Sequence, residues 1–281
     1  MKPAPFDYVA ARSVEEALAG LARDEDAKPI AGGQSLVPAL NMRLVRPTLL
    51  VDLNGAGLDT VTANGIVRVG ATVRQAALER DPRTHPLLRE ALPYVGHFVT
   101  RNRGTIGGSV AHADGSAEVP LCLAALGGTI VAEGPNGRRE IAPADFFVTH
   151  YLTTLAPGEL LVETAWPPPG AHEGAAFEEL ALRAGDYALA MVAVVLRRDE
   201  GAARDVRVFA GAVTDRPTAL AEAAAALEGA RVTPASAREA AVLAARAVDP
   251  AGTIHASAAY LRHLTGTLVE RAVGRAWERS A

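Results

Sequence analysis

Two short stretches that each set a glycine doublet among hydroxyl or amide side chains constrain this chain more than any other feature. They are Ala31-Gly32-Gly33-Gln34-Ser35-Leu36 and Thr105-Ile106-Gly107-Gly108-Ser109. Ahead of the first, Lys28-Pro29-Ile30 follows an acidic turn and reads as a short strand. Behind it, Leu36 to Leu44 reads as a short helix, with Pro47 as its stop. Adjacent glycines allow positive φ and leave no side chain between the backbone and a ligand. A strand, a glycine turn and a helix start together make an anion site suited to phosphate. A second stretch of the same kind points to one ligand with a diphosphate.

The first bend alone admits other readings. A lone Gly-Gly is a plain tight turn. Leu49-Leu50-Val51-Asp52-Leu53 is nearly all apolar and reads as a strand buried on both faces. Strand, glycine turn, helix and a strand ending in Asp52 trace a dinucleotide-binding unit, with Asp52 placed for a ribose hydroxyl. The fingerprint G-x-G-x-x-G is absent, however, and its third glycine is missing. The second stretch shifts the balance towards a backbone cradle. A turn needs one glycine, whereas Gly104, Gly107 and Gly108 crowd together here. His112, Asp114 and Glu118 follow. Carboxylates would repel a phosphate, so these read as acceptors for ribose hydroxyls or a ring system.

Composition removes several function classes. The 281 residues are 49% hydrophobic, which suits a real core. The net charge of −4, with both signs interspersed, lacks the basic stripe of a nucleic-acid surface. The single cysteine, Cys122, excludes an intrachain disulfide and a cysteine-rich cluster site, and it fits a reducing cytoplasm. The seven histidines show no metal spacing, and no Ser–His–Asp set or carboxylate pair stands out. The N-terminus carries no signal-like apolar run, and no stretch is long enough to span a bilayer.

Along the chain, Ser13 with Glu16 predicts a capping box for a helix bearing Val14, Ala17, Leu18 and Leu21 on one face. Val67 to Ala71 reads as a strand, with Thr72 capping the next helix and Gln75 completing the box. Another helix opens at His85-Pro86-Leu87 and runs to about Tyr94, and one more covers Ala117 to Leu126. Thr129–Ala132 and Arg138–Ile141 flank Gly134-Pro135-Asn136-Gly137 as a hairpin, and Leu160–Trp166 is a further strand. Pro167-Pro168-Pro169-Gly170 ends that strand and marks a boundary. Beyond it lie strands at Phe177–Leu182, Ala188–Arg197 and Val206–Val213. Helices at Ala219–Leu227, Pro234–Ala247 and Ser257–Trp277 follow, an α+β pattern with the helices on one sheet face. Leu261, Leu264, Leu268 and Ala272 form the apolar face of the last helix. Cys122 and Phe146-Phe147 read as core, and His263 as surface. Arg101 and Arg103 read either as a solvated face or as support for the phosphates or a partner. Arg183 reads as a structural pair or as electrostatics beside the ligand.

Taken together, the first stretch with Arg43 and Pro47, and Arg103-Gly104-Thr105-Ile106-Gly107-Gly108-Ser109 with His112-Ala113-Asp114, resemble a known family. It is that of the FAD-binding medium subunits of molybdenum hydroxylases, which includes aerobic carbon monoxide dehydrogenase and xanthine dehydrogenase. Pro157-Gly158-Glu159-Leu160-Leu161, Arg183-Ala184-Gly185-Asp186-Tyr187-Ala188 and Tyr260-Leu261-Arg262-His263-Leu264 extend the resemblance over nearly the whole chain. It implies an α+β protein: a two-subdomain FAD-binding fold of the vanillyl-alcohol-oxidase (PCMH) type, followed by a small C-terminal α+β domain. Residues 1–54 would be the first FAD-binding subdomain, 55–170 the second, and 171–281 a C-terminal domain with a three-stranded sheet plus helices.

By position, the resemblance implies that Ala31, Gly32, Gly33, Gln34, Ser35 and Leu36, with Thr105, Ile106, Gly107, Gly108 and Ser109, supply backbone contacts to FAD. Asp114 and Glu118 would lie near the ribitol or ribose, Leu161 against the flavin, and Tyr187 and Arg183 by the isoalloxazine. Gly115 stands where many relatives have proline, which implies a looser start to the following helix. Gln34 replaces the histidine of the carbon monoxide enzyme's subunit. The resemblance further implies a large molybdenum-binding subunit and a small [2Fe–2S] subunit as partners, in a heterotrimer or a dimer of heterotrimers. The role would be to take electrons from the clusters and pass them to a final acceptor. Two alternatives are a self-sufficient FAD oxidoreductase, for which the sequence offers no base at the flavin, and a flavin-free docking subunit, against which the glycine stretches argue.

Overall fold

The computed structural model describes residues 2–281. Near the N-terminus, β1 (Asp7–Ala10), β2 (Lys28–Ile30) and β3 (Leu49–Asp52) form a three-stranded sheet in the order β1-β3-β2, with β3 parallel to both neighbours. Helix α1 (Val14–Leu21) joins β1 to β2, and α2 (Leu36–Asn41) joins β2 to β3. The apolar run buries Leu49, Leu50 and Val51, as a central strand requires. β1 went unpredicted because it is a mostly exposed edge strand with no apolar alternation. Ser13 caps α1, but Glu16 returns to the N–H of Arg12 rather than that of Ser13, so the expected box is displaced by one residue. The predicted helix to Leu44 ends at Asn41. Arg43 takes φ +57°, and the Arg43 and Leu44 N–H groups bond back to Leu40 and Ala39. This Schellman-type ending closes the helix before Pro47 is reached.

The next unit is a five-stranded antiparallel sheet in the order β4-β5-β10-β6-β7. Its strands are β4 (Val61–Asn64), β5 (Ile66–Gly70), β6 (Thr129–Gly134), β7 (Gly137–Ile141) and β10 (Leu160–Trp166). A small ribbon of β8 (Phe147–Thr149) and β9 (Leu152–Thr153) precedes β10. The predicted β6–β7 hairpin is present, whereas β4 and the ribbon had no clear sequence signal. Helices α3 (Gln75–Arg80), α4 (Pro86–Ala91), α5 (Phe98–Arg101), α6 (Ile106–His112) and α7 (Glu118–Leu126) lie between β5 and β6, and α8 (Pro143–Phe146) follows β7. Thr72 does not cap α3: Arg74 holds the cap position, the Thr72 hydroxyl is buried without a partner, and the Gln75 N–H bonds Gly104 O. The second glycine stretch is not an open loop either. Thr105 caps α6, so Gly107 and Gly108 lie within its first turn.

In the C-terminal part, β11 (Glu173–Ala181), β12 (Ala188–Asp199), β13 (Ala202–Gly211) and β14 (Thr218–Ala219) pair antiparallel in that order. The sheet therefore has four strands rather than three, because Thr218–Ala219 pairs with β13 and shortens α9 to Ala221–Ala225. Helices α10 (Pro234–Ala247) and α11 (Ala258–Arg279, capped by Ser257) cover one face, with Leu261, Leu264, Leu268 and Ala272 buried as their spacing predicts. β12 is buried on both sides. Val192, Val194 and Leu196 pack with the helices, while Met191, Ala193 and Val195 join the core of residues 11–166. Glu90 of α4 is bonded to Arg275 and Arg279 of α11, which pins the two halves together. Phe146, Phe147 and Cys122 are core, and His263 is exposed.

Candidate functional site

The first bend leaves the parallel sheet at Ile30 and lies directly against the approach to the second. A Cβ on Gly32 would fall 2.4 Å from Arg103 O and 2.9 Å from Gly104 Cα. Gly33 takes φ +71°, a conformation a side chain strains to adopt. From Ala31 through Leu36 no backbone N–H donates to an acceptor among the described residues; the first to do so is Val37, to Gly33 O. Ala31, Gly32, Gly33 and Gln34 line a cavity of about 470 Å³ together with Tyr8, Asp52 and Arg103. Ser35 is exposed, without a side-chain capping bond, and Leu36 begins α2. The Gln34 side chain folds back onto Gly32 O at 3.2 Å.

The second bend uses its glycines differently. Ile106 N–H donates to Val73 O and Gly107 N–H to Ala71 O, each at 3.0 Å. Gly108 N–H is taken by Thr105 Oγ1 at 3.1 Å. A Cβ on Gly107 would lie 2.5 Å from Ala71, so this glycine lets α6 dock on the end of β5. The expectation that Ile106, Gly107 and Gly108 offer free amides is therefore corrected. The N–H of Thr105 and the hydroxyl of Ser109 are left without partners among the described residues. The two bends are nonetheless neighbours, with Ala31 Cβ 3.9 Å from where a Gly108 Cβ would be.

Asp52 lines the first cavity. Its carboxylate accepts from Tyr8 Oη at 2.5 Å and from Asn54 N–H at 2.9 Å. Burial alone would raise this carboxyl, but the bonds from Tyr8 and Asn54 and the nearby Arg74 hold it below the ordinary value. On the other side, Asp114 is buried. One of its oxygens accepts Ser116 N–H at 2.9 Å and the other Tyr151 Oη at 3.3 Å. The Tyr151 ring lies 4.9 Å from that of His112, whose imidazole is pushed down by burial. Burial, reinforced by Asp114, raises the Glu118 carboxyl to about 7. Glu179 of β11 is raised to about 8 by burial and by Glu118, and its Oε2 has no partner. Tyr187 is 73% exposed, yet its phenol is raised by burial of the hydroxyl end and by Asp114 and Glu118.

The remaining predicted residues lie outside the lining of that cavity. Leu161 is 3% exposed, in the core on β10 opposite Ala132. Arg183 is exposed in a turn whose Gly185 packs against His97, and it forms no ion pair among the described residues. Arg101 is neither a solvated face nor phosphate support: it is buried against Glu79 at 2.8 Å and the carbonyls of Pro93, Val95 and Gly96. Gly115 is not loose. A Cβ there would fall 2.5 Å from His150 and 2.9 Å from Asp215. Sequence reasoning missed Tyr8, Asn54, Arg74, Tyr151 and Glu179. Asn54 carried a local signal, two residues after an aspartate that accepts its N–H. The others are brought in only by tertiary packing.

A run of unengaged N–H donors beside Arg103 can hold a diphosphate, and the residues fit such a group because Gly32 and Gly33 leave room for no side chain. Among the described residues no cluster of His, Cys, Asp or Glu could hold a metal ion, and no helix is long and apolar enough to cross a membrane.

Residues 4–169 match the model of the FAD binding domain in molybdopterin dehydrogenase, and residues 175–276 that of the CO dehydrogenase flavoprotein C-terminal domain. The chain is 40% identical to the 6-hydroxypseudooxynicotine dehydrogenase complex subunit alpha of Paenarthrobacter nicotinovorans, over 100% of this chain and 97% of that one. It superposes on a chain of carbon monoxide dehydrogenase from Hydrogenophaga pseudoflava with a TM-score of 0.97 at 36% identity, covering all of both chains. The match to quinoline 2-oxidoreductase from Pseudomonas putida 86 has a TM-score of 0.95 at 38% identity, covering 100% and 99%.

Proposed function

The chain belongs to the FAD-binding medium subunits of the molybdenum hydroxylase family, and on that premise we propose that it binds FAD across its two bends and works as the electron-transfer subunit of a heteromeric dehydrogenase. The observation that carries this is the run of unengaged N–H groups from Ala31 to Leu36 beside a cavity. In our reading those amides hold the diphosphate, with help from Thr105 N–H and the Ser109 hydroxyl. Asp114 and Glu118 accept from the cofactor's hydroxyls, and Tyr187 and Arg183 border the ring. Leu161 backs that region from the core.

FAD supplies the redox chemistry when bound; the chain binds it, orients it and sets its electrostatics. Its partners are a large molybdenum-binding subunit and a small [2Fe–2S] subunit. We place the complex in the cytoplasm and divide the chain at residues 54 and 170. Neither the bends nor the acids around Asp114 form a base poised over a small substrate, so we assign the substrate's oxidation to the large subunit.

The test is flavin uptake. The full-length chain, refolded with FAD, is expected to show a flavin absorption spectrum with one FAD per chain. A folded chain that takes up none, alone and with its partner subunits, would overturn the reading.

A further inference from the structure

Arg74 lies in neither glycine stretch, yet it reaches both. Its Nη1 donates to Arg103 O at 2.5 Å and its Nη2 to Asn54 Oδ1 at 2.6 Å. Asn54 Nδ2 in turn donates to Ala31 O at 3.0 Å, inside the first bend. Arg103 O is the atom on which Gly32 packs. The Arg74 backbone also forms an isolated antiparallel bridge with Thr105. One guanidinium thus spans from the first bend to the second.

Its charge is left over. Neither Arg74 nor Arg103 forms a salt bridge among the described residues. Burial, and then the like charge of Arg103, weaken the hold of Arg74 on its proton, while Asp52 and Asp59 act on it only through their field. Asp52 is already bonded to Tyr8 and Asn54. Two cations without a salt-bridge partner among the described residues, beside free N–H donors, make a surface that an anion would complete.

We propose that Arg74 is a positioning residue for the diphosphate: it fixes the spacing of the two bends through Arg103 O and, by way of Asn54, Ala31 O, and it keeps a free positive charge beside them. The inference rests on the FAD reading above. A planar fork holds two acceptors at a fixed spacing, which the compact ammonium of a lysine does not reproduce.

The test uses the full-length chain with Arg74→Lys, Arg74→Gln and, as a control on the cradle itself, Gly33→Val. FAD dissociation constants are read from flavin fluorescence at low and high salt, and thermal unfolding is read on the FAD-free chain. Arg74→Lys is expected to weaken FAD about tenfold and keep the salt dependence, because charge remains and geometry is lost. Arg74→Gln is expected to weaken it further and flatten the salt dependence. Unfolding of the FAD-free chain should shift little in either. Wild-type affinity in both Arg74 variants, with FAD lost in Gly33→Val, would overturn the role of Arg74 and leave the cradle standing. Affinity losses that merely track lost stability would overturn it as well. If Gly33→Val binds FAD as the wild type does, the cradle reading falls and this proposal with it.

Discussion

At Gly32-Gly33 the N–H groups from Ala31 to Leu36 have no acceptor among the described residues. At Gly107-Gly108 the neighbouring N–H groups are held by Val73, Ala71 and Thr105. The surroundings differ too. Arg74 and Arg103 flank the first bend, while the acids Asp114 and Glu118 follow the second. A glycine doublet therefore reports close approach without saying to what. In the first bend the approach is open to a ligand on one side; in the second it is filled by the protein's own Ala71 and Thr105.

The contrast can be broken most forcefully at Gly107. Gly107→Val places a branched side chain against Ala71 and should cost about 3 kcal/mol or more of stability, seen as a large drop in denaturant midpoint. If Gly107→Val instead folds normally and only loses FAD, the second bend is a cradle after all. Gly33→Val should do the reverse. The fold survives with about 1–2 kcal/mol of left-handed strain, and FAD affinity falls about a hundredfold, as titration would measure.

Acid and base should also act on the two regions differently. Glu118 and Glu179 are raised from 4.5 to about 7 and about 8 in the folded chain. Their contribution is fully present below about pH 4.5 and is lost as pH rises through those values. Stability should thus fall by several kcal/mol between about pH 5 and pH 8, and Glu118→Gln with Glu179→Gln should flatten that slope. Asp52 is lowered, so its contribution is present above 3.8 and is lost only as pH falls below that. The smallest effect is expected from Thr105→Val, which removes the α6 cap for about 1 kcal/mol and should leave FAD affinity nearly unchanged.

Much of this was legible in the residues, because local rules governed it. The buried run at Leu49–Val51, the α10 span and the apolar face of α11 are set by periodicity, and tertiary packing kept them. The first bend was legible because two glycines between a strand and a helix have few other uses. The second was read as a cradle like the first, and is instead the first turn of α6. Thr105 gave the signal of a helix cap, but Gly107 and Gly108 are poor helix formers, and only their packing on Ala71 and Thr105 explains them. Exposed edges such as β1 and the short pairing at β14 carried no pattern, since pairing alone defines them. Arg74 was unreadable in principle: its partners at Asn54 and Arg103 become neighbours only once the parallel sheet and the α5–α6 corner come together.

Gly115 ties three segments together. Its N–H meets His150 Nδ1, its carbonyl receives Ala212 N–H, and a Cβ on it would run into the Asp215 backbone. The residue after Asp114 is thus a hub where the β8–β9 corner and the turn beyond β13 converge. Grafting the final third of a relative onto this chain would have to reproduce that turn and keep position 115 bare. An extra methyl there would collide with His150 and the Asp215 backbone, so a splice far downstream is felt beside the Asp114 carboxylate.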